Sequence, residues 1–245
     1  MRASILKVLS TMNRSGAKVL LMGGQACVYY GGAEFSIDTD FAVLLESENL
    51  KNLVAALNEL QAKAIAVPPF KVDFLERGHA VHFRCTAPGC DEMRVDIMAK
   101  MRGVAPFDEL WERRTTAFDT INDLEFEVMA LPDLVAAKKT QRDKDWPMIR
   151  ALLEAHYFKF HDQASPERVG FWRQELRTPA LLREVTRLFP GHTAREATIL
   201  AAQNADDAQI ERALRDEEER ERELDRIYWR PLKAELEAVR LGRNR

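Results

Sequence analysis

The sequence predicts an α/β N-terminal domain followed by a helical C-terminal region. Short apolar runs bounded by glycine or proline alternate with helical patterns up to about residue 130, and the later segments are mostly helical. A length of 245 residues suits one fair-sized domain with a smaller one appended. We therefore expect a first domain over residues 1–130 and a helical region over residues 131–245.

The first quarter of the chain predicts alternating helices and strands. The Gly23-Gly24 step after the first apolar run indicates a buried strand that turns tightly. The predicted elements are a helix over 3–15, a strand over 18–22, a short helix over 25–30, a strand over about 36–45, and a helix capped by Ser47 with an apolar stripe from Leu50 to Leu60.

Pro68-Pro69 breaks the chain before a second group of predicted elements. Pro132 takes a favoured position in the first turn of the last of them. These elements are strands over 71–75, 80–85 and 93–98, a helix over 107–114, a strand over 125–129, and a helix through Lys139.

The pattern of the C-terminal region predicts several helices that are separated by prolines. The last of them is a long charged helix over about 206–239. The charged octet 216–223 interrupts the apolar stripe of that helix. Its simplest interpretation is a solvated face with local ion pairs. Self-association through this helix, giving a homo-oligomer, is an alternative.

Composition excludes several classes of protein. The net charge of −3 fits neither a basic nucleic-acid coat nor an acidic tail, and a local basic patch remains compatible with it. Apolar runs of only a few residues predict no membrane span, and the first residues lack a signal core. Three scattered cysteines make no disulfide framework, so we expect a reduced, cytoplasmic protein.

Three acidic residues carry the strongest chemical signal. Asp38 and Asp40 are two positions apart in an extended segment, so their side chains share a face and are within reach of one hard cation. Asp96 alternates with Val95 and Ile97, so it can face a cleft while they pack in the core. The three carboxylates together predict a site for Mg²⁺ and the phosphates of a nucleotide.

The Gly23-Gly24 turn supplies the second part of such a site. Backbone N–H groups that follow a strand can donate to phosphate oxygens without an obstructing side chain. Asp96 is the candidate ligand for a second metal ion and the candidate general base for an acceptor hydroxyl.

These motifs, taken in order, resemble a known superfamily. A Gly-Gly turn within Leu20–Ala26, Tyr30-Gly31-Gly32, the Asp-x-Asp of Ser36–Asp40 and the lone Asp96 are similar to the opening of the minimal nucleotidyltransferases, which have the DNA polymerase beta-like fold. The most similar branch includes the toxin–antitoxin and abortive-infection nucleotidyltransferases. The stretch 131–145 also resembles that branch, so the resemblance covers about residues 15–155.

The resemblance implies a nucleotidyltransferase-like mixed sheet flanked by helices and the transfer of a nucleoside monophosphate from an NTP, such as ATP. It implies that Asp38, Asp40 and Asp96 hold Mg²⁺ and carry catalysis, that Gly23 and Gly24 bind the nucleotide, and that Lys138 or Lys139, together with Arg142, contacts its phosphates. Asp145 would orient one of these cations or contact the residues that surround the site. The acceptor could be a tRNA end, a protein hydroxyl or a small molecule, and the branch implies a toxin role with an antitoxin partner.

The chain departs from the branch at two positions. Glu34 stands where the branch often has arginine, and Met148 stands where it often has aspartate. The acid at Glu34 could change nucleotide choice, weaken binding or remove activity, and the last outcome is the rival hypothesis of a catalytically inactive nucleotide- or partner-binding protein on the same fold.

Structural roles compete with each functional one. The Asp38–Asp40 pair could be exposed strand-end acids, Asp96 a surface-edge residue, and the basic residues at 138–144 partners of a helix dipole. The spacing of His79, His82, Cys85 and Cys90 suggests zinc, but a strand over 80–85 would point His82 and Cys85 to opposite sides, so zinc is the minority interpretation.

Overall fold

A computed structural model of the chain describes residues 2–190, 195–204 and 206–242, and within these ranges seven strands form one mixed sheet. The strands are β1 (Val19–Met22), β2 (Thr39–Val43), β3 (Ala62–Ala64), β4 (Val81–Cys85), β5 (Arg94–Met98), β6 (Thr115–Asp119) and β7 (Leu124–Val128). Their spatial order is β3-β4-β5-β2-β1-β7-β6.

Eleven α-helices lie within the described ranges. They are α1 (Ala3–Arg14), α2 (Gly23–Tyr29), α3 (Ser47–Glu59), α4 (Val72–Arg77), α5 (Phe107–Arg113), α6 (Leu131–Lys138), α7 (Asp145–Phe160), α8 (Pro166–Glu175), α9 (Pro179–Leu188), α10 (Glu196–Gln203) and α11 (Asp207–Arg240), with a 3-10 turn at His161–Gln163. None of the helices in this described part combines the length and apolarity that crossing a lipid bilayer requires.

The position of β1 at the centre of the sheet explains why all of its residues are apolar. All four residues of β1 are buried, because β1 lies between β2 and β7 and α1 packs against β7. Strand β2 is antiparallel to β1 and parallel to β5, so the sheet is mixed. The predicted fold class, a mixed sheet flanked by helices with a helical C-terminal region, is therefore confirmed.

Most predicted elements are confirmed, and the strand predicted over 71–75 is wrong. That segment forms the helix α4, because Gly78 adopts a left-handed conformation (φ 100°) that ends a helical turn and donates its N–H to the carbonyl of Leu75. Leu75 is fully buried from this helix. The predicted Ser47 cap is also wrong, since Glu46 precedes α3 and makes no side-chain cap hydrogen bond. The short edge strands β3 and β6 were not predicted.

The described residues divide into two compact units. One comprises residues 2–28, 35–137 and 228–242, and the other comprises residues 29–34, 138–190, 195–204 and 206–227. The whole sheet belongs to the first unit. The division of the sequence into domains over residues 1–130 and 131–245 stays a prediction.

The charged octet in α11 is less solvated than predicted. The Glu217 side chain is 15% exposed and pairs with two buried arginines of the second unit, Arg177 and Arg195. Arg222 pairs with Asp143 as well as with a neighbour on its own helix. The octet therefore contributes to the packing of the second unit, since its charges find partners outside the helix.

Candidate functional site

Asp40 lies against the turn that follows β1. Gly23 has a φ of 63° where β1 passes into α2, and Gly24 donates its N–H to Asp40 Oδ2 at 3.4 Å. A Cβ at Gly23 would be 2.5 Å from Asp40 Cγ, and one at Gly24 would be 2.8 Å from Ser36 Cβ. Gly23 therefore permits the close approach of the Asp40 carboxylate, and Gly24 permits that of Ser36, because neither has a side chain.

Asp96 lies beside Asp40 in the sheet. Met22, Asp40, Asp96 and His82 occupy matched positions across β1, β2, β5 and β4. Residues at matched positions on neighbouring strands project from the same face, so Asp40, Asp96 and His82 form a polar row. Asp96 is 7% exposed, and Val95 and Ile97 on either side of it are fully buried.

Arg94 and His82 hold the Asp96 carboxylate. Arg94 donates from Nε to Oδ1 and from Nη2 to Oδ2, each at 2.8 Å, and His82 Nδ1 lies 2.9 Å from Oδ1. Burial raises the pKa of Asp96, but the hydrogen bonds from His82 and Arg94 outweigh it and leave the pKa below its ordinary value. The same contact to Asp96 raises the pKa of Arg94. Asp96 is therefore held as a carboxylate.

Asp38 precedes β2 and stands at the open side of the site. Its side chain is 41% exposed, and its Oδ2 lies 4.0 Å from Arg94 Nη1. A cavity of about 610 Å³ opens beside it, and its charged lining consists of Asp38 itself, the arginines Arg2, Arg84 and Arg94 and the acids Asp91 and Glu92. The strand begins at Thr39, so Asp38 lies just outside it and Asp40 within it.

The donor set suits Mg²⁺ in part. Among the described residues, no group of three or more His, Cys, Asp and Glu side chains is arranged to hold a metal ion. Mg²⁺ typically takes only one or two protein carboxylates and completes its shell with water and substrate phosphates. Asp38 and Asp40 fit that requirement, whereas both Asp96 oxygens are bound by Arg94.

The basic residues predicted to contact phosphates lie in the second unit, where each has an acidic partner. Lys138 Nζ lies 3.3 Å from Asp145 Oδ1, and Lys139 Nζ lies 2.8 Å from Glu175 Oε2. Arg142 reaches Asp145 through Nε at 2.7 Å, and its side chain is 56% exposed. Asp145 thus contacts both Lys138 and Arg142, and its orienting role stays a prediction.

Sequence reasoning missed Arg94 and His82. Arg94 is two positions from Asp96 in an extended segment, so the alternation that links Asp38 to Asp40 also predicts Arg94 beside Asp96. His82 has no such local signal, because its place opposite Asp96 depends on the register of β4 against β5.

The four residues that suggested zinc take separate roles. His79 is buried and its Nε2 lies 2.8 Å from Glu235 Oε2, whereas His82 contacts Asp96 and Arg94. Cys85 and Cys90 are fully buried free thiols.

No family model and no curated protein matches the sequence. The solved structures that are similar to the chain include the following two. An antigenic nucleotidyltransferase-like protein from Paracoccidioides brasiliensis is 14% identical over 73% of this chain and 93% of its own, with a TM-score of 0.37. A proposed nucleotidyltransferase from H. pylori is 12% identical over 90% of this chain and 94% of its own, with a TM-score of 0.43. Identities and TM-scores this low carry no argument about activity, so the argument for a function depends on the geometry of the site in this chain.

Proposed function

We propose that the chain is a Mg²⁺-dependent nucleotidyltransferase, which moves a nucleoside monophosphate from an NTP to a hydroxyl acceptor. The observation that supports this most is the approach of Asp40 to Gly23 and Gly24, with Asp96 next to it in the row. Backbone N–H groups and carboxylates side by side suit a ligand that combines phosphates with a divalent cation.

Asp38 and Asp40 would hold the Mg²⁺, which when bound neutralises phosphate charge and orients the transferred group. Gly23 and Gly24 let the phosphates approach the backbone. Asp96 is the proposed acceptor of the proton from the attacking hydroxyl and the proposed ligand of a second ion. Both roles compete with the hydrogen bonds that Arg94 donates to its two oxygens.

The proposed phosphate contacts in the second unit are Lys138, Lys139 and Arg142. Arg142 suits the role best, because its side chain is 56% exposed. Of its guanidinium nitrogens, Nε is the one that contacts Asp145. Lys138 and Lys139 are largely buried in ion pairs, so their proposed contribution requires those pairs to open.

The proposed acceptor remains a tRNA end, a protein hydroxyl or a small molecule, and a toxin role with an antitoxin partner is part of the same proposal. Net acidity weighs against broad RNA binding, since phosphate contacts need clustered basic residues. A small reading frame beside the gene that encodes a neutralising partner would support the toxin role.

The test is incubation with α-labelled NTPs, Mg²⁺ and each class of acceptor. The wild type should transfer label and release pyrophosphate, and Asp38→Asn/Asp40→Asn should do neither. Asp123→Asn, which changes an exposed acid in the turn between β6 and β7, serves as the matched control and should retain the wild-type rate. Equal labelling by the wild type and the double variant would refute transfer at this site.

The second candidate is a non-catalytic nucleotide- or partner-binding protein. The Arg94–Asp96 pair favours it, because an aspartate bound at both oxygens is a poor base, and Glu34 favours it from the sequence. Calorimetry with NTP and Mg²⁺ separates the candidates. Binding without turnover favours the second, and an absence of binding removes both nucleotide-dependent functions.

A further inference from the structure

Arg94 is a cation among the acidic residues of the candidate site. Its guanidinium contacts both oxygens of Asp96 at 2.8 Å and lies 4.0 Å from Asp38. The negative charges of Asp38 and Asp40 also contribute to its raised pKa. The positive charge that two or three close carboxylates require is thus supplied by the chain itself.

The position of Arg94 conflicts with full metal loading of the site. A divalent ion bound by Asp96 would need at least one of the oxygens that the guanidinium now contacts. It would also lie close to a like charge, which is unfavourable where solvent is partly excluded. The Asp38 side chain is 41% exposed, and within the described ranges its carboxylate has only the longer contact to Arg94, so it is more open to a cation than Asp96 is.

The cavity beside Asp38 offers Arg94 a second position. Arg94 lines this cavity of about 610 Å³, and its side chain is 37% exposed. A guanidinium presents its N–H groups in a planar fork that matches phosphate as well as carboxylate. A phosphate group in the cavity can therefore bind the same guanidinium, and movement of the side chain toward the phosphate would take its N–H groups from Asp96.

We infer that Arg94 is an exchangeable counter-ion, which holds Asp96 until a polyphosphate enters the cavity beside Asp38 and takes the guanidinium. This inference rests on the proposed function and deepens it. Arg94 is a positioning residue with two partners in turn, and its release of Asp96 completes the metal site. Metal and polyphosphate then bind with positive coupling that Arg94 creates.

The first measurement is Mg²⁺ and Mn²⁺ affinity by calorimetry without nucleotide. Arg94→Met should bind the metal at least about tenfold more tightly than the wild type, within the usual range of coupling between sites. Arg113→Met is the matched control, since Arg113 makes the same two-pronged contact to an aspartate, Asp133, but does not line the cavity. It should leave the affinity unchanged. Equal metal affinity in Arg94→Met and the wild type overturns the inference.

The second measurement is binding of inorganic tripolyphosphate in EDTA. Arg94→Met should weaken it severalfold, the opposite direction from its effect on metal affinity. A purely structural role for Arg94 would weaken both ligands together. Tripolyphosphate affinity that is unchanged in Arg94→Met overturns the exchange, whatever the metal affinity.

A further variant keeps the inference testable if Arg94→Met does not fold. Arg94→Lys keeps the charge but replaces the two-pronged contact with a single one, so it should tighten metal binding by less. If Arg94→Met does not fold, unchanged metal affinity in Arg94→Lys overturns the inference. If the wild type binds Mg²⁺ and NTP but the Arg94 variants bind the metal no more tightly than it does, the inference is rejected and the proposed function is not. An absence of Mg²⁺ and NTP binding in every variant and in the wild type rejects the proposed function as well.

Discussion

Asp40 and Asp96 lie opposite each other on the parallel strands β2 and β5, although 55 residues separate them along the chain. The pairing of β2 with β5 places both carboxylates on one face, and a slip of one residue would send one of them to the other face. Val95 and Ile97 are buried on either side of Asp96, so the core that fixes the register also fixes the acidic row.

The Gly23 position is the first point at which this geometry can be tested. Gly23→Ala combines a left-handed φ of 63° with a Cβ that would overlap the Asp40 carboxylate. Gly103 is the matched control, because its φ is 68° and a Cβ there would meet no atom within 4 Å. We expect Gly103→Ala to lower the unfolding free energy by about 1 kcal/mol from backbone strain alone.

Gly23→Ala should cost about 1–3 kcal/mol more than that control, since the overlap adds to the strain, and it should also weaken Mg²⁺ binding by moving Asp40. Urea unfolding and calorimetry measure the two effects. Equal losses of stability in both variants would mean that Asp40 adapts freely to a side chain at Gly23.

Much of the fold and part of the site could be predicted from local patterns. Alternation in an extended segment is local, so Asp38 with Asp40 was predictable, as Arg94 with Asp96 would have been. The place of His82 in the row was not, because register depends on contacts between distant strands. The segment 71–75 was predicted as a strand because its apolar residues fit both periods, and the Gly78 helix end decided otherwise.

His156 should make stability depend on pH. Burial, then the charges of Arg168 and Lys159, lowers its pKa from 6.5 to about 4, and Trp172 Nε1 donates to its Nδ1 at 2.9 Å. Because the pKa is lower in the folded state, the unfolded chain binds more protons between these values. The contribution of neutral His156 is therefore complete above pH 6.5 and is lost as the pH falls to about 4.

The expected loss from this residue is roughly 3 kcal/mol over that range. His156→Gln keeps an acceptor for Trp172 and does not titrate, so the difference between it and the wild type isolates the effect. His161→Gln, at a half-exposed position, should follow the wild-type curve. Urea unfolding at intervals from pH 4 to pH 7 measures it, and parallel curves for wild type and His156→Gln would exclude the effect.

The cysteines should be unreactive in the folded protein. Cys27, Cys85 and Cys90 are fully buried. Burial, with a contribution from Cys90, raises the pKa of Cys85 to about 12, and burial also raises that of Cys90, so little of the reactive thiolate forms at neutral pH. Ellman's reagent at pH 8 should label no thiol in the native protein and three per chain in guanidinium chloride. Prompt labelling of the native chain would show that at least one of these sites opens readily.

Glu217 should be the least replaceable acid of the octet, because it is the counter-ion of Arg195 and Arg177, whose side chains are 6% and 8% exposed. Glu217→Gln keeps the shape but removes the carboxylate that Arg195 and Arg177 both contact, so we expect a loss of about 3–5 kcal/mol in unfolding free energy. Glu219→Gln, two residues along the same helix and exposed, should change it by less than about 0.5 kcal/mol. Urea unfolding followed by tryptophan fluorescence compares them. Similar small losses in both variants would restore the interpretation of the octet as a solvated face, since a buried pair cannot lose its charge without cost.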